Sequence, residues 1–166
     1  DGATMSVTDM INEGVRRAYT HPDNVLRASI LEDPDGARKN TKDNTPAVIH
    51  YEIVEGHTVD VQVAAKGGGS ENKSKMVMLN PSDSIVDWVV KTVPTMGAGW
   101  CPPGMLGIGI GGTAEKAAVM AKESLMDPID IHELRERGPK TRAEELRLEI
   151  FEAVNNLGIG AQGLGG

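Results

Sequence analysis

The sequence predicts an α+β or mixed α/β fold, a layered domain in which helices pack on a sheet that includes an antiparallel hairpin. Three observations carry this. Ile49, Tyr51 and Ile53 alternate along one segment and Val59, Val61 and Val63 along the next, with Glu55-Gly56-His57 between them as a turn. Apolar residues recur at helical spacing elsewhere, as in Ile85, Val86, Trp88, Val89 and Val93, and again in Leu146, Ile150, Val154 and Leu157. With one Phe, two Tyr and two Trp, the core must be aliphatic, which suits helices layered on a sheet.

Taken in order, Ser6-Val-Thr8-Asp9 offers helix-capping side chains. Met10, Ile11, Gly14, Val15 and Ala18 then define a helix to about Thr20, stopped near His21-Pro22. A short apolar segment, Asn24 to Leu31, carries one arginine, Arg27. Glu32 to Pro46 is polar and without periodicity, and reads as a long loop. The hairpin follows and runs into Lys66-Gly-Gly-Gly-Ser70. Ser82 or Asp83 caps the next helix, which Pro94 ends. Leu106, Ile108 and Ile110 predict a third strand, whose intervening glycines imply that another backbone or a ligand comes close. Thr113 caps a helix from Ala114 to about Leu125. After an acidic and basic loop, the capping box Thr141-Arg-Ala-Glu144 opens the last helix, closed by Gly158.

At 166 residues the chain is one domain's worth. Its net charge of −7 argues against a broad nucleic-acid or anionic-membrane surface. No apolar run reaches membrane-spanning length and no signal-peptide pattern opens the chain. A single cysteine excludes an internal disulfide and suits a reducing compartment, so a soluble cytoplasmic protein is expected. Asp1-Gly2 and Gln162-Gly-Leu-Gly-Gly166 look like cut ends, which makes a fragment the expectation.

Cys101 is the most chemical residue in the sequence. It sits between Gly97-Ala-Gly-Trp100 and Pro102-Pro103, where flanking glycines allow close approach and the prolines stiffen the turn. It reads either as a small buried hydrophobe or as a framed thiol for metal ligation or nucleophilic catalysis. No His, Cys or Asp lies at ligand spacing from it. Lys66-Gly-Gly-Gly-Ser-Glu-Asn-Lys73-Ser74 lacks the second glycine of a phosphate-binding loop, which argues against a nucleotide. Its three glycines form either a tight turn or a row of backbone N–H groups able to hold a carboxylate. Arg27 suits a carboxylate bidentately, or is a solvated arginine. His21, His50, His57 and His132 are scattered and form no ligand pair.

Six motifs occur together in order. They are Ile11-Asn-Glu-Gly-Val-Arg-Arg-Ala-Tyr19, Asn40-Thr-Lys-Asp-Asn-Thr-Pro46, Ala65-Lys-Gly-Gly-Gly-Ser-Glu-Asn-Lys73, Cys101-Pro-Pro, Gly109-Ile-Gly-Gly-Thr113 and Leu157-Gly-Ile-Gly-Ala-Gln-Gly-Leu-Gly-Gly166. With these the chain resembles, over essentially its whole length, the iron–sulfur fumarate hydratases of class I. It equally resembles the α subunit of the related two-subunit fumarate and tartrate dehydratases.

That resemblance implies a partial N-terminal, cluster-binding domain spanning residues 1–166. It also implies a [4Fe–4S] cluster in the parent protein, with one open iron acting as Lewis acid in the reversible hydration of fumarate to malate. Cys101 matches the second of three cluster cysteines; the first, in a Cys-Gln-Asp-Thr-Gly motif, and the third would lie outside the chain. Arg27 is similar to an arginine that contacts the dicarboxylate, and Gly69 matches a position where backbone meets substrate. The implied partners are a small dicarboxylate, a C-terminal domain or β subunit, and a second copy in a homodimer of the parent. The isolated 166-residue piece is expected to lack the cluster and to be inactive. Tartrate dehydration, or a non-catalytic folding and association fragment, are the alternatives.

Overall fold

The structure is a computed structural model and describes residues 2–161, so the Gln162–Gly166 tail lies outside it. The class is mixed α+β: six α-helices and a two-stranded antiparallel sheet among the described residues. The chain divides into two compact units, Asp1–Asp60 and Val61–Gly166.

In the first unit, helix α1 spans Val7–Thr20. The Ser6 hydroxyl accepts from the Asp9 N–H at 3.1 Å and donates to the Asp9 carboxylate at 2.7 Å, which satisfies a first-turn donor. The predicted polar loop is an ordered structure held largely by side chains. Within it β1 (Leu31–Glu32) pairs antiparallel with β2 (Lys39–Asn40). The Asn44 side-chain oxygen accepts from the N–H groups of Ser29 and Ile30, and the Asn40 amide donates to the Ala28 carbonyl. Arg16 ties α1 to this loop through Asp43 at 3.1 Å. The Thr45 N–H and hydroxyl, then Arg16, hold the Asp43 carboxyl below its ordinary range. None of the described residues of this unit is buried, so polar pairing rather than an apolar core organises it.

The second unit contains the core. Its helices are α2 (Gly68–Glu71), α3 (Ile85–Thr92), α4 (Ala114–Glu123), α5 (Ile131–Arg137) and α6 (Arg142–Asn155). The α3 N-cap is Ser84, whose hydroxyl accepts from the Asp87 N–H at 3.1 Å; this is one residue beyond the predicted caps. The α-helix stops at Thr92, before Pro94, and the chain continues as 3₁₀ turns to Trp100 with a break at Gly97 (φ 59°). Val89, Val93 and Ile150 form the buried centre between α3 and α6, with Val93 only 1% exposed. Trp88, Met96, Trp100, Leu106, Ile108, Val154 and Leu157 pack around it. Truncating such a residue to alanine costs about 2–5 kcal/mol.

Leu106 to Ile110 is extended but has no strand partner among the described residues. Its side chains still alternate. Leu106 and Ile108 face the α3–α6 core, while Gly107 and Gly109 lie on α4. A methyl group on Gly109 would run into the Ala117 carbonyl and stand 2.8 Å from the Ala121 nitrogen; one on Gly107 would meet the Ala121 carbonyl and stand 3.0 Å from the Ser124 hydroxyl. The close backbone implied by these glycines is therefore that of a helix.

The predicted hairpin over residues 49–63 is not formed. Gly56 does turn the chain, with φ 134°, but no ladder joins the two arms among the described residues, and residues 51–63 are exposed, Ile53 at 97% and Val59 at 84%. Alternation marks a strand only when a neighbouring surface buries one face, and here none does. Two helices escaped the sequence reading. The Asp130 carboxylate accepts from the His132 and Glu133 N–H groups to start α5, and Gly138 (φ 74°) follows its end. The glycine run, expected as a tight turn or a row of backbone N–H groups, folds from Gly68 as α2, with Gly67 at its N-cap.

The α6 start is more elaborate than a capping box. The Thr141 hydroxyl accepts from the Glu144 N–H at 3.2 Å, as expected, but the Glu144 carboxylate takes the Lys140 N–H at 2.7 Å and both Nη groups of Arg137. These contacts, Arg137 first, lower the Glu144 pKa to about 2. A depressed carboxylate contributes stability that is present above its unfolded pKa and lost as pH falls through the folded one. Glu144→Gln is thus expected to melt at lower temperature at neutral pH and to converge with the native chain as pH drops from about 4.5 toward 2. Thermal denaturation followed by circular dichroism across that window checks it. By contrast Thr113 occupies the N-cap of α4, but its side chain makes no cap hydrogen bond.

Candidate functional site

The second unit brings the glycine run and the cysteine turn together. Short α2 packs on the 3₁₀ segment that leads into Cys101, and both are glycine where they meet. A methyl group on Gly69 would stand 3.2 Å from the Gly99 carbonyl oxygen. That same oxygen lies 3.9 Å from the Cys101 sulfur, which donates to it weakly. Gly69 and Cys101 therefore flank a single backbone carbonyl.

Cys101 is exposed, so the small-hydrophobe reading is not the one the structure shows. Its backbone is left-handed (φ 56°, ψ 56°), a conformation that costs a non-glycine residue about a kilocalorie per mole or more and that holds the thiol outward on the turn. Pro102, next in the chain, is buried and anchors the turn. The Trp100 indole nitrogen is buried beside it without a hydrogen-bond partner among the described residues, while its ring lies on Gly104.

Three lysines surround α2. Glu71 bridges Lys66 at 3.1 Å and Lys122 at 2.5 Å, tying the glycine run to α4. The two ammonium groups, Lys122 before Lys66, hold the Glu71 carboxyl below its ordinary range. Lys73, in the turn after α2, lies with its stem against Gly99, where any side chain would collide with it. No role attaches to these four residues in the sequence: Lys66, Glu71 and Lys73 stand in it only as parts of the glycine-run motif, and Lys122 in no motif. The sequence separation of Glu71 from Lys122, and the lack of any pattern pairing Lys73 with Gly99, left no signal for them.

Arg27 lies in the first unit, exposed on the extended segment before β1, with no hydrogen bond or ion pair among the described residues. His50, His57 and His132 are exposed. No group of three His, Cys, Asp or Glu among the described residues could hold a metal ion. No helix there is long and apolar enough to cross a membrane. An exposed thiol on a stiff, glycine-flanked turn suits one corner of an iron–sulfur group, but a [4Fe–4S] cubane takes several cysteine sulfurs and this chain has one. These residues alone do not hold it.

The chain that carries this glycine run and cysteine turn matches one family model over nearly its whole length. The model for that family, described as "Fumarate hydratase (Fumerase)", matches residues 2–166, and the chain belongs to it. The chain is also similar to individual curated proteins. It is 37% identical over 169 residues to the Methanocaldococcus jannaschii protein named "Putative L(+)-tartrate dehydratase subunit alpha", covering 98% of this chain and 56% of that one. It is 34% identical over 146 residues to the L(+)-tartrate dehydratase subunit alpha of Escherichia coli UTI89, covering 85% of this chain and 46% of the relative. The same figures hold for the protein of that name from Shigella boydii serotype 4. The chain spans about half the length of the curated relatives it matches.

Proposed function

We propose that this chain is part of a hydro-lyase that adds water reversibly across the double bond of fumarate to give malate. The observation that carries the reading is the meeting of Gly69 and Cys101 at the Gly99 carbonyl, in a chain of the fumarate hydratase family. Cys101 would supply one thiolate corner of a [4Fe–4S] cluster, whose open iron supplies Lewis-acid chemistry when bound; the other sulfurs must come from outside these residues. Gly69 presents main chain rather than side chain beside that corner, which suits close contact with a carboxylate. Arg27 is assigned to a substrate carboxylate on its resemblance to the family's dicarboxylate-binding arginine, and its planar fork suits that role. The chain by itself is inactive on this reading, as one part of a cluster-binding domain. Its partner is a C-terminal domain or β subunit, in a cytoplasmic parent that pairs as a homodimer.

A second reading, dehydration of L(+)-tartrate to oxaloacetate, is favoured by the names of the relatives. The substrates differ in what must be recognised, since tartrate carries one hydroxyl more than malate. Anaerobic incubation of the complete enzyme with each substrate, with products identified by chromatography, tests both. Malate from fumarate at the higher kcat/KM supports the first reading, and oxaloacetate from tartrate at the higher value supports the second. Turnover of neither overturns both.

A further inference from the structure

Residues 47–65 carry an extended main chain whose hydrogen-bonding groups are unused. From Val48 to Ala65 no main-chain N–H or carbonyl pairs with another main-chain group among the described residues. The start of the stretch is nevertheless held in place. The Ala47 N–H donates to the Asn12 side-chain oxygen at 2.8 Å, and the Tyr51 and Thr8 hydroxyls share a hydrogen bond at 2.7 Å. Alternate residues Ala47, Ile49 and Tyr51 share one face, Ile49 half-buried, while Val48 points away and is 80% exposed. Further along, Ile53, Val54, Val59, Val61 and Val63 are all exposed.

Open main chain beside apolar side chains invites pairing, and proteins guard such edges with lysine, proline or brevity. The sheet seen among the described residues obeys this: its strands are two residues long, and one carries Lys39. Residues 47–65 contain no Lys, Arg or Pro, and are rich in the β-branched residues that strands favour. Their cover must bury apolar side chains and satisfy main-chain groups together. An added strand does both, whereas a small apolar ligand supplies no row of donors and acceptors. Glu52, Glu55 and Asp60 within the stretch, and a net charge of −7, disfavour anionic lipid or nucleic acid. The chain spans about half the length of the curated relatives it matches, so a comparable length of polypeptide is at hand to supply the cover.

We propose that residues 47–65 are a strand-addition surface, on which the remainder of the parent protein lays an extended apolar segment, main chain to main chain. For the identity of the partner this rests on the reading that a C-terminal domain or β subunit completes the chain. It is indifferent to which dicarboxylate is turned over. The Asn12 and Thr8 contacts fix the first arm before the partner arrives, so that docking orders fewer residues.

Amide hydrogen exchange read by mass spectrometry tests it, on the 166-residue chain at two concentrations and on the complete enzyme. In the chain alone, amides 48–65 are expected to exchange as fast as in a free peptide at either concentration, while those of α6 are protected. In the complete enzyme amides 48–65 should slow about a hundredfold or more. Ile53→Pro and Val54→Pro each remove one main-chain donor, and successive N–H groups point to opposite edges of a strand. One of the two variants should lower the melting temperature of the complete enzyme by several degrees. Neither should lower that of the 166-residue chain, where both residues are exposed. Fast exchange at 48–65 in an active complete enzyme overturns the strand addition and leaves the hydro-lyase reading standing. Protection in a complete enzyme that turns over neither substrate supports the strand addition and overturns the hydro-lyase reading. Protection already present in the chain alone overturns the strand addition: independent of concentration, the arms pair within the chain; rising with concentration, a second copy covers them. A complete enzyme whose melting temperature neither proline lowers overturns it as well.

Discussion

Cys101→Ser in the complete hydro-lyase is expected to lower turnover by more than about a hundredfold, past the 10–100-fold typical of residues that merely support a metal ligand. In the 166-residue chain, which on this reading holds no cluster by itself, the same substitution should leave the melting temperature nearly unchanged. Cys101 is exposed, and its one polar contact is a weak one at 3.9 Å to the Gly99 carbonyl, so little packing or hydrogen bonding is lost with the sulfur. The left-handed backbone at this position is a constraint that serine meets equally well. Loss of activity without loss of fold is therefore the signature of a thiolate used in chemistry. Steady-state rates and thermal melts of the two proteins, measured side by side, decide it. A loss smaller than tenfold would remove Cys101 from the site.

The largest structural effect is expected at Gly109. Replacing it with valine puts a branched side chain where even a methyl group would run into the Ala117 carbonyl and crowd the Ala121 nitrogen. Neither neighbour can give way, because both are main-chain atoms inside α4. The helix would have to move off the 106–110 segment, and with it the Lys122–Glu71 ion pair that holds the glycine run. Overpacking of this kind costs about 1–3 kcal/mol, and more where backbone must shift. Gly109→Val is expected at or beyond the upper end. Gly111→Ala, a short way along the chain, should cost less. Its φ of 87° strains any side chain, but no atom lies within 4 Å of the added methyl group. Denaturant titration of both variants gives the comparison, and equal stabilities would contradict the layered packing described for α4.

What could be read from the residues follows from which forces are local. Caps and stripes are local, and so α1, α3, α4 and α6 were legible to within a few residues at each end, from Ser6, from Val89 and Val93, and from Thr141. Helix α5 was hidden because it is short and mostly charged, and only Asp130 and Gly138 marked it. The antiparallel pair lies in a stretch that looked shapeless, because Asn40, Asp43 and Asn44 bond to main chain in place of a long ladder. Residues 49–63 misled for the opposite reason: their alternation is real, but strand pairing is a property of the neighbour as much as of the segment. At the site, Gly69 and Cys101 were visible as motifs. That both reach Gly99 was not, since long-range packing of two glycine backbones leaves no periodic trace.

On the proposed reading, this chain provides one thiolate corner of a shared cluster, beside a dicarboxylate-binding main chain. The most direct test of that reading is anaerobic reconstitution of the 166-residue chain with iron and sulfide, followed by iron and sulfide analysis, absorbance and electron paramagnetic resonance after desalting. With a single cysteine, the expected result is background iron and no stoichiometric [4Fe–4S] signal. A stable, stoichiometric cluster on this chain alone would contradict it.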